Sequence, residues 1–496
     1  MVNATDLRSK NTFSSFSVPV VAFLVLTGAA WLRSAEYDEQ YTLFLTAGVP
    51  RPDWPETVFP AGIVAAAQAG HASLDAIARD LRATDVHPPL YFWAVSIWRR
   101  IVGPSLFAAR MLSVLCGVLT IALVGAVARR CAIRPAIAML ITLGCYGFVY
   151  TNAIARGFAP AQTLTLCGIA LLLGRRQWLV GLCLGAACCC NYLAAFVAVA
   201  AILSVGAWRA VPAMVPFLAL DAWFFVAQHD ARPGQFPPFE VWPSLLRLVE
   251  YQTASVFGGL PMYLDGAWRI VAGACIGLVA VVVIVGIAGA HFWNAGPAIR
   301  VFGAAAIATP IGLLLLGAAF NNTPIELRYL SFGLPFVALL AASAVPRGHG
   351  RGCRGSLRRR SWVDWRILVL IIQFGSIIGL LISPRTMQPA RIAATEAARL
   401  VGNGVVLLPR GNDGVGIVGA FAIEAPAWLP ILLIRPGDPV AERVAPYRRV
   451  VLALLAQDRD SVASIAGLRA AFALLNWRRV GVGSSVEVYE RTGDGQ

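Results

Sequence analysis

Charge is what this sequence has least of. Only 14% of its 496 residues are Asp, Glu, Lys or Arg, and Lys10 is its one lysine. An ordinary soluble domain carries about 25% charged residues. So few charges cannot cover a globule of this length, which excludes a wholly soluble protein and leaves much of the outer face to lipid. Metal-binding cysteine patterns are also lacking. The ten cysteines show no paired zinc-site spacing, and Cys188, Cys189 and Cys190 sit inside an apolar run as small buried thiols. No internal repeat occurs, and the one compositionally biased stretch is the Arg/Gly-rich segment 347–360. The net charge of +15 comes from arginines at the ends of apolar stretches. No basic, aromatic-interleaved surface is present, so nucleic acid is excluded as a partner and anionic membrane lipid is favoured.

What the chain has in abundance is long apolar runs: 58% of its residues are hydrophobic and the mean hydropathy is +0.69. A spanning helix needs about 20 mainly apolar residues. About eleven candidates follow, near 17–33, 105–128, 134–152, 158–174, 178–190, 192–207, 211–228, 269–289, 301–319, 329–346 and 366–383. The short pair at 178–207 reads as a tight hairpin or one bent helix. The first stretch is too long in its apolar part for a cleaved signal peptide.

Cytoplasmic loops carry the excess of arginine and lysine. With Arg8 and Lys10 inside, alternation puts Arg129, Arg130, Arg134, Arg175, Arg176, Arg209, Arg300 and the Arg351–Arg360 cluster inside as well. Segments 34–104 and 229–268 and the tail then lie outside. The expected organisation is a helical polytopic membrane domain over 1–383 and a small extracytoplasmic α/β domain over 384–496. The N-terminus is expected in the cytoplasm and the C-terminal domain in the periplasm of a bacterial inner membrane. In the tail, 404–409, 430–436 and 449–456 read as buried strands, 461–475 as a helix and 486–490 as a closing strand. Gly411, Gly414 and Gly416 lack the strand–loop–helix context of a dinucleotide fingerprint and read as loop glycines.

Three polar groups stand at the outer face. Glu36-Tyr37-Asp38-Glu39-Gln40-Tyr41 follows the first span, either as a solvated helix end or as catalytic carboxylates near the headgroups. Neighbours on a helix point about 100° apart, so Asp38 and Glu39 cannot share one task. One would accept a proton while the other holds a metal or a neighbour. In Asp85-Val86-His87-Pro88-Pro89-Leu90-Tyr91, the two prolines stop a helix and present Asp85 and His87 from a rigid turn. They serve a structural hydrogen bond or a ligand contact. Arg110, Arg156 and Arg328 sit at outer span ends against the charge bias. They either snorkel to headgroups or hold a shared anion, for which phosphate suits arginine; Tyr329 adds a hydroxyl. Outside the cytoplasm an activated sugar should arrive on a lipid. Phosphate leaves well when arginine offsets its charge, and an ionised Asp can take the acceptor's proton.

These residues resemble the GT-C superfamily of polyprenyl-phosphate-sugar-dependent glycosyltransferases. The resemblance is closest to the bacterial branch related to protein mannosyltransferases and the lipid A aminoarabinose transferase. Tyr37-Asp38-Glu39 with Tyr41-Thr42-Leu43 is similar to that family's YDEAYTL. His87-Pro88-Pro89-Leu90-Tyr91-Phe92, then Trp98, Gly103 and Ala109-Arg110-Met111-Leu112-Ser113, is similar to its HPPLYF…W…G…ARLLS. Ala155-Arg156-Gly157-Phe158 is similar to EARPY, and Leu327-Arg328-Tyr329-Leu330 to RYLLPLLP. Ile154, Phe158 and Asn191-Tyr192 depart from the family pattern. The resemblance implies an inverting transfer from a polyprenyl-phosphate-linked sugar to an acceptor glycan, lipid or protein. It implies Asp38 as general base, Glu39 as its support or a metal ligand, and Arg110, Arg156 and Arg328 with Tyr329 as donor phosphate ligands. Some relatives use a divalent metal, for which Glu39, Asp85 and His87 are the candidates here. The competing readings are a transporter or flippase for a lipid-linked sugar, which would place polar groups at mid-membrane in broken helices, and a non-catalytic scaffold of envelope assembly.

Overall fold

The computed structural model describes residues 4–228, 237–259, 261, 264, 266–291, 296–344, 365–382, 389–411, 414–456 and 458–492. The Arg-rich connector 347–360 lies outside them. The architecture is a helical bundle capped by a mixed sheet, and every apolar stretch read from the sequence contains a helix.

The chain opens with α1 (Ala4–Leu32), then turns by 88° into α2 (Tyr37–Ala47). α2 stops at Gly48, whose φ of 89° is the left-handed conformation that only glycine adopts freely. The first loop continues through a two-residue strand β1 (Phe59–Pro60), α3 (Gly62–Ala67), α4 (Leu74–Thr84) and α5 (Pro89–Val102). Ser73 caps α4 by accepting from the Ala76 N–H, and Pro89 starts α5 where a missing N–H costs nothing. The bundle follows with α6 (Leu106–Arg130), α7 (Pro135–Gly144), α8 (Tyr146–Asn152), α9 (Phe158–Leu172), α10 (Gln177–Cys190), α11 (Ala194–Val205) and α12 (Val211–Ala227). Then come α13 (Val241–Phe257), α14 (Gly266–His291), α15 (Pro297–Phe320), a 3-10 segment Leu327–Gly333, α16 (Leu334–Ser343) and α17 (Trp365–Ile382).

Among the described residues four helices are long and apolar enough to cross a membrane alone: Leu106–Arg130, Trp208–Ala227, Gly266–Gly289 and Pro297–Phe320. The number is six if the bent pairs Ser17–Leu32 with Tyr37–Ala47 and Pro135–Gly144 with Tyr146–Asn152 each count as one. The others are shorter apolar helices of 10–17 residues. The 178–207 stretch is two helices, broken at Asn191, whose side chain accepts from the Leu193 N–H at 3.1 Å.

The C-terminal region holds α18 (Ala390–Leu400), β2 (Val405–Pro409), α19 (Gly416–Glu424), β3 (Pro430–Ile434), α20 (Val440–Val444), β4 (Arg449–Ala453), α21 (Arg459–Leu474), β5 (Trp477–Val482) and β6 (Val486–Arg491). The sheet order is β1-β3-β2-β4-β6-β5, parallel across β3, β2 and β4 and antiparallel elsewhere. Sequence patterning found β2, β3, β4 and β6. It missed β5, whose exposed arginines hide its strand character, and it missed β1. β1 belongs to the first loop, pairing Phe59 with Ile431 and Pro60 with Pro430.

Strand side chains alternate faces. Val405, Leu407, Leu432 and Ile434 therefore pack with α21 residues Ile465, Leu468 and Phe472. Val406, Leu408, Ile431 and Leu433 pack with Phe44, Trp54 and Phe59 of the first loop. The two regions thus share one hydrophobic core. Gly416 also departs from expectation. It opens α19, the helix that follows β2, so it stands at a helix N-terminus, and an added Cβ would meet the Tyr37 ring at 2.3 Å.

Candidate active site

α1 ends where its last carbonyls meet a buried arginine. Arg110, from the first turns of α6, spends its guanidinium in full. Nε donates to Glu39 at 2.8 Å and Nη2 at 2.5 Å, Nη1 donates to the carbonyls of Ala30 and Arg33, and Nη2 to that of Ser34. Glu39 is equally saturated. It also accepts the N–H of Ala155 at 2.7 Å and of Glu36 at 2.9 Å. Burial alone would push the Glu39 carboxyl up, but the Arg110 charge and these hydrogen bonds outweigh it and hold the carboxyl below the ordinary range. The pair clamps three pieces together: the end of α1, the start of α2 and the 153–157 turn. Arg33 and Glu36, a second buried pair, brace the same corner, with Arg33 lying 4.0 Å over the Tyr150 ring. Arg110 therefore has no N–H left for a phosphate, and the donor-binding role expected of it gives way to a structural one.

One residue earlier on α2, Asp38 faces the other way. Its carboxylate pairs with Arg328, whose side chain is 10% exposed against 16% for Asp38. Arg328 Nη2 also reaches Glu326 at 2.5 Å, and its Nε is buried without a partner among the described residues. Arg328 stacks near the ring of Tyr329, whose own ring lies 6.1 Å from Phe158. Arg156 donates to the Asp38 backbone carbonyl at 3.1 Å and to His87 Nε2 at 2.8 Å. A guanidinium only donates, so Nε2 is the acceptor and Nδ1 carries the proton that meets Asp85 at 3.0 Å. Gln228 fixes this turn by donating to the His87 carbonyl at 2.9 Å. Tyr91 is buried below it, edge-on to Phe92. Tyr37 joins its hydroxyl to that of Tyr41 at 2.9 Å.

The structure thus gathers Asp38, Arg156, Arg328, Tyr329, His87 and Asp85 around the start of α2 and sets Glu39 and Arg110 behind them. Sequence reasoning missed Glu326, Arg33 and Gln228. Glu326 had a signal, lying two residues before Arg328 in an apolar context. Gln228 had none, since its partners are distant in sequence, while Arg33 stands three residues before Glu36, with which it pairs. Of the candidate metal ligands, Glu39 has its oxygens filled by Arg110 and backbone N–H groups and Asp85 hydrogen-bonds His87, and no three His, Cys, Asp or Glu side chains converge among the described residues.

Residues 86–228 match the family model described as dolichyl-phosphate-mannose-protein mannosyltransferase. The fold is similar to a crystal structure of ArnT from Cupriavidus metallidurans bound to undecaprenyl phosphate, at 14% identity and TM-score 0.50 over 99% of each chain. The same ArnT in its apo state aligns with 96% of this chain and 97% of its own, at 15% identity and TM-score 0.42. None of the curated proteins matches the sequence.

Proposed function

We propose that this protein belongs to the GT-C fold superfamily and is an integral-membrane glycosyltransferase of the bacterial inner membrane. It moves a hexose or pentose from a polyprenyl-phosphate carrier to an acceptor hydroxyl on the periplasmic side, modifying an envelope glycan, glycolipid or glycoprotein.

The observation that carries this reading is the partly exposed Asp38–Arg328 pair, a base beside a phosphate ligand. Asp38 takes the proton of the acceptor hydroxyl as its oxygen attacks the anomeric carbon. The bond from that carbon to the phosphate oxygen breaks, and its electron pair leaves with the polyprenyl phosphate. Arg328 and Arg156, with Tyr329 beside them, offset the charge on the leaving phosphate. When Arg328 turns to the phosphate it frees the Asp38 carboxylate. A single displacement inverts the anomeric centre. The carrier bound to the crystallised ArnT, undecaprenyl phosphate, is the class of leaving group this site suits.

The outer side is favoured by the arginine-rich turns, which alternate with the site-bearing loops, and the β1–β3 pairing requires the first loop and the C-terminal region to lie on the same side as each other. An even number of crossings must then separate them, as an eleven-span chain with a cytoplasmic N-terminus provides. The test is sugar transfer from polyprenyl-phosphate donors in lipid, comparing wild type with Asp38→Asn at equal folded amount. Transfer that disappears in the variant supports the reading; equal transfer removes Asp38 as the base.

A further inference from the structure

A second polar cleft lies at the carboxyl ends of β2 and β3. Pro409 and Ile434 are register partners, so the residues that follow them, Arg410 and Arg435, stand side by side. The Arg410 N–H continues the ladder by donating to the Ile434 carbonyl at 3.0 Å. By alternation, both arginines extend the rows Val406–Leu408 and Ile431–Leu433 that face the first loop. They line a cavity of about 290 Å³ whose walls include Trp54, Glu56, Asp438 and Arg443.

The charges there do not balance. Arg443 pairs with Asp438 and donates to the Glu56 backbone carbonyl. Asp438 also accepts the Arg435 backbone N–H at 3.0 Å, and Glu56 is exposed at the rim. Among the described residues no carboxylate lies within ion-pair distance of Arg410 or Arg435. Like charges on adjacent strands repel, and open parallel sheets take their ligands at the carboxyl ends of the strands. The guanidinium fork matches the oxygens of a phosphate. Protein contacts lead from the cleft toward the Asp38 site. Trp54 Nε1 donates to the Gly414 carbonyl at 2.7 Å, and two residues on Gly416 abuts Tyr37, the neighbour of Asp38.

We propose that this cleft binds the phosphate of a phosphorylated saccharide, the acceptor, and so fixes which hydroxyl reaches Asp38. The ligand's role as acceptor rests on the glycosyl-transfer reading; its binding rests on the cleft alone. The test uses the full chain in neutral-lipid nanodiscs, titrated by calorimetry and thermal shift with glucose 6-phosphate, inorganic phosphate and glucose. Arg410→Gln, Arg435→Gln and the double variant are compared with wild type. Glucose 6-phosphate should bind wild type more tightly than inorganic phosphate does, and glucose should not bind. Each single variant should weaken binding about tenfold, and the double variant should lose it with an unchanged melting temperature. Equal binding by wild type and double variant, or binding by neither, overturns the site. Inorganic phosphate binding as tightly as the sugar phosphate overturns the saccharide assignment. Phosphatidylglycerol nanodiscs that abolish glucose 6-phosphate binding would reassign the phosphate to a lipid headgroup. Polyprenyl phosphate is titrated separately and should bind wild type and double variant alike. If it binds neither while glucose 6-phosphate binding stays arginine-dependent, the transfer reading fails and the site stands.

Discussion

Asp38 and Glu39 are neighbours on α2, and each meets an arginine brought from far along the chain. Glu39 is fully buried and Arg110 only 2% exposed, and every oxygen and N–H of that pair is used. Asp38 and Arg328 keep some access to solvent, and Arg328 retains an unpartnered Nε among the described residues. A buried pair that is fully satisfied has nothing left to offer a ligand, whereas breaking it strands a charge. A pair with spare capacity can exchange partners. The difference sets a saturated pair beside one with spare capacity within one helical turn.

Substitutions can break that contrast. Asp38→Asn should reduce transfer by about 10³-fold or more, in the range a general base supplies, with no change in melting temperature. Arg110→Met should do the opposite. It leaves Glu39 buried without its countercharge at a cost of about 3–5 kcal/mol, read as a large drop in melting temperature, while the correctly folded fraction keeps its turnover. Glu326→Gln loosens Arg328 without touching substrate. It should lower kcat/KM about tenfold, a loss of roughly 1.4 kcal/mol, expressed mainly in the KM for the donor.

The smallest effect is in pH. Glu39 is held below its ordinary value of 4.5, so the stability it contributes is complete above that value and is lost as pH falls through its lower folded value. Melting temperature should stay level down to about pH 5 and decline in more acid buffer. In Glu39→Gln the decline due to this group should be absent; an identical acid profile in both proteins would show that the pair contributes nothing.

The sequence displayed the apolar stretches plainly, because a run such as 301–319 has no other explanation than a buried or lipid-facing helix. It also displayed Asp38, Arg156, His87 and Arg328, since polar groups at span ends need reasons. It could not display the 88° turn between α1 and α2, which arises from the Arg110 and Arg33 contacts at that corner. For the same reason Arg110 and Arg328 looked alike. Both are arginines at an outer helix end, and only the identity of their distant partners tells them apart. β1 was illegible because a strand of two residues, one of them Pro60, has no pattern of its own and exists only by pairing with Ile431 and Pro430.

That pairing has a consequence for biosynthesis. Phe59 and Pro60 leave the ribosome early, and their partners on β3 leave it only after α17 has been made. Until then Phe44 and Trp54, which pack on each other, lack Leu433 as a neighbour. A chain halted before α18 keeps the Arg110–Glu39 clamp but leaves β1 and the apolar face of Phe44 and Trp54 uncovered. The sheet that joins the first loop to the C-terminal region therefore closes only after every helix up to α17 has been made.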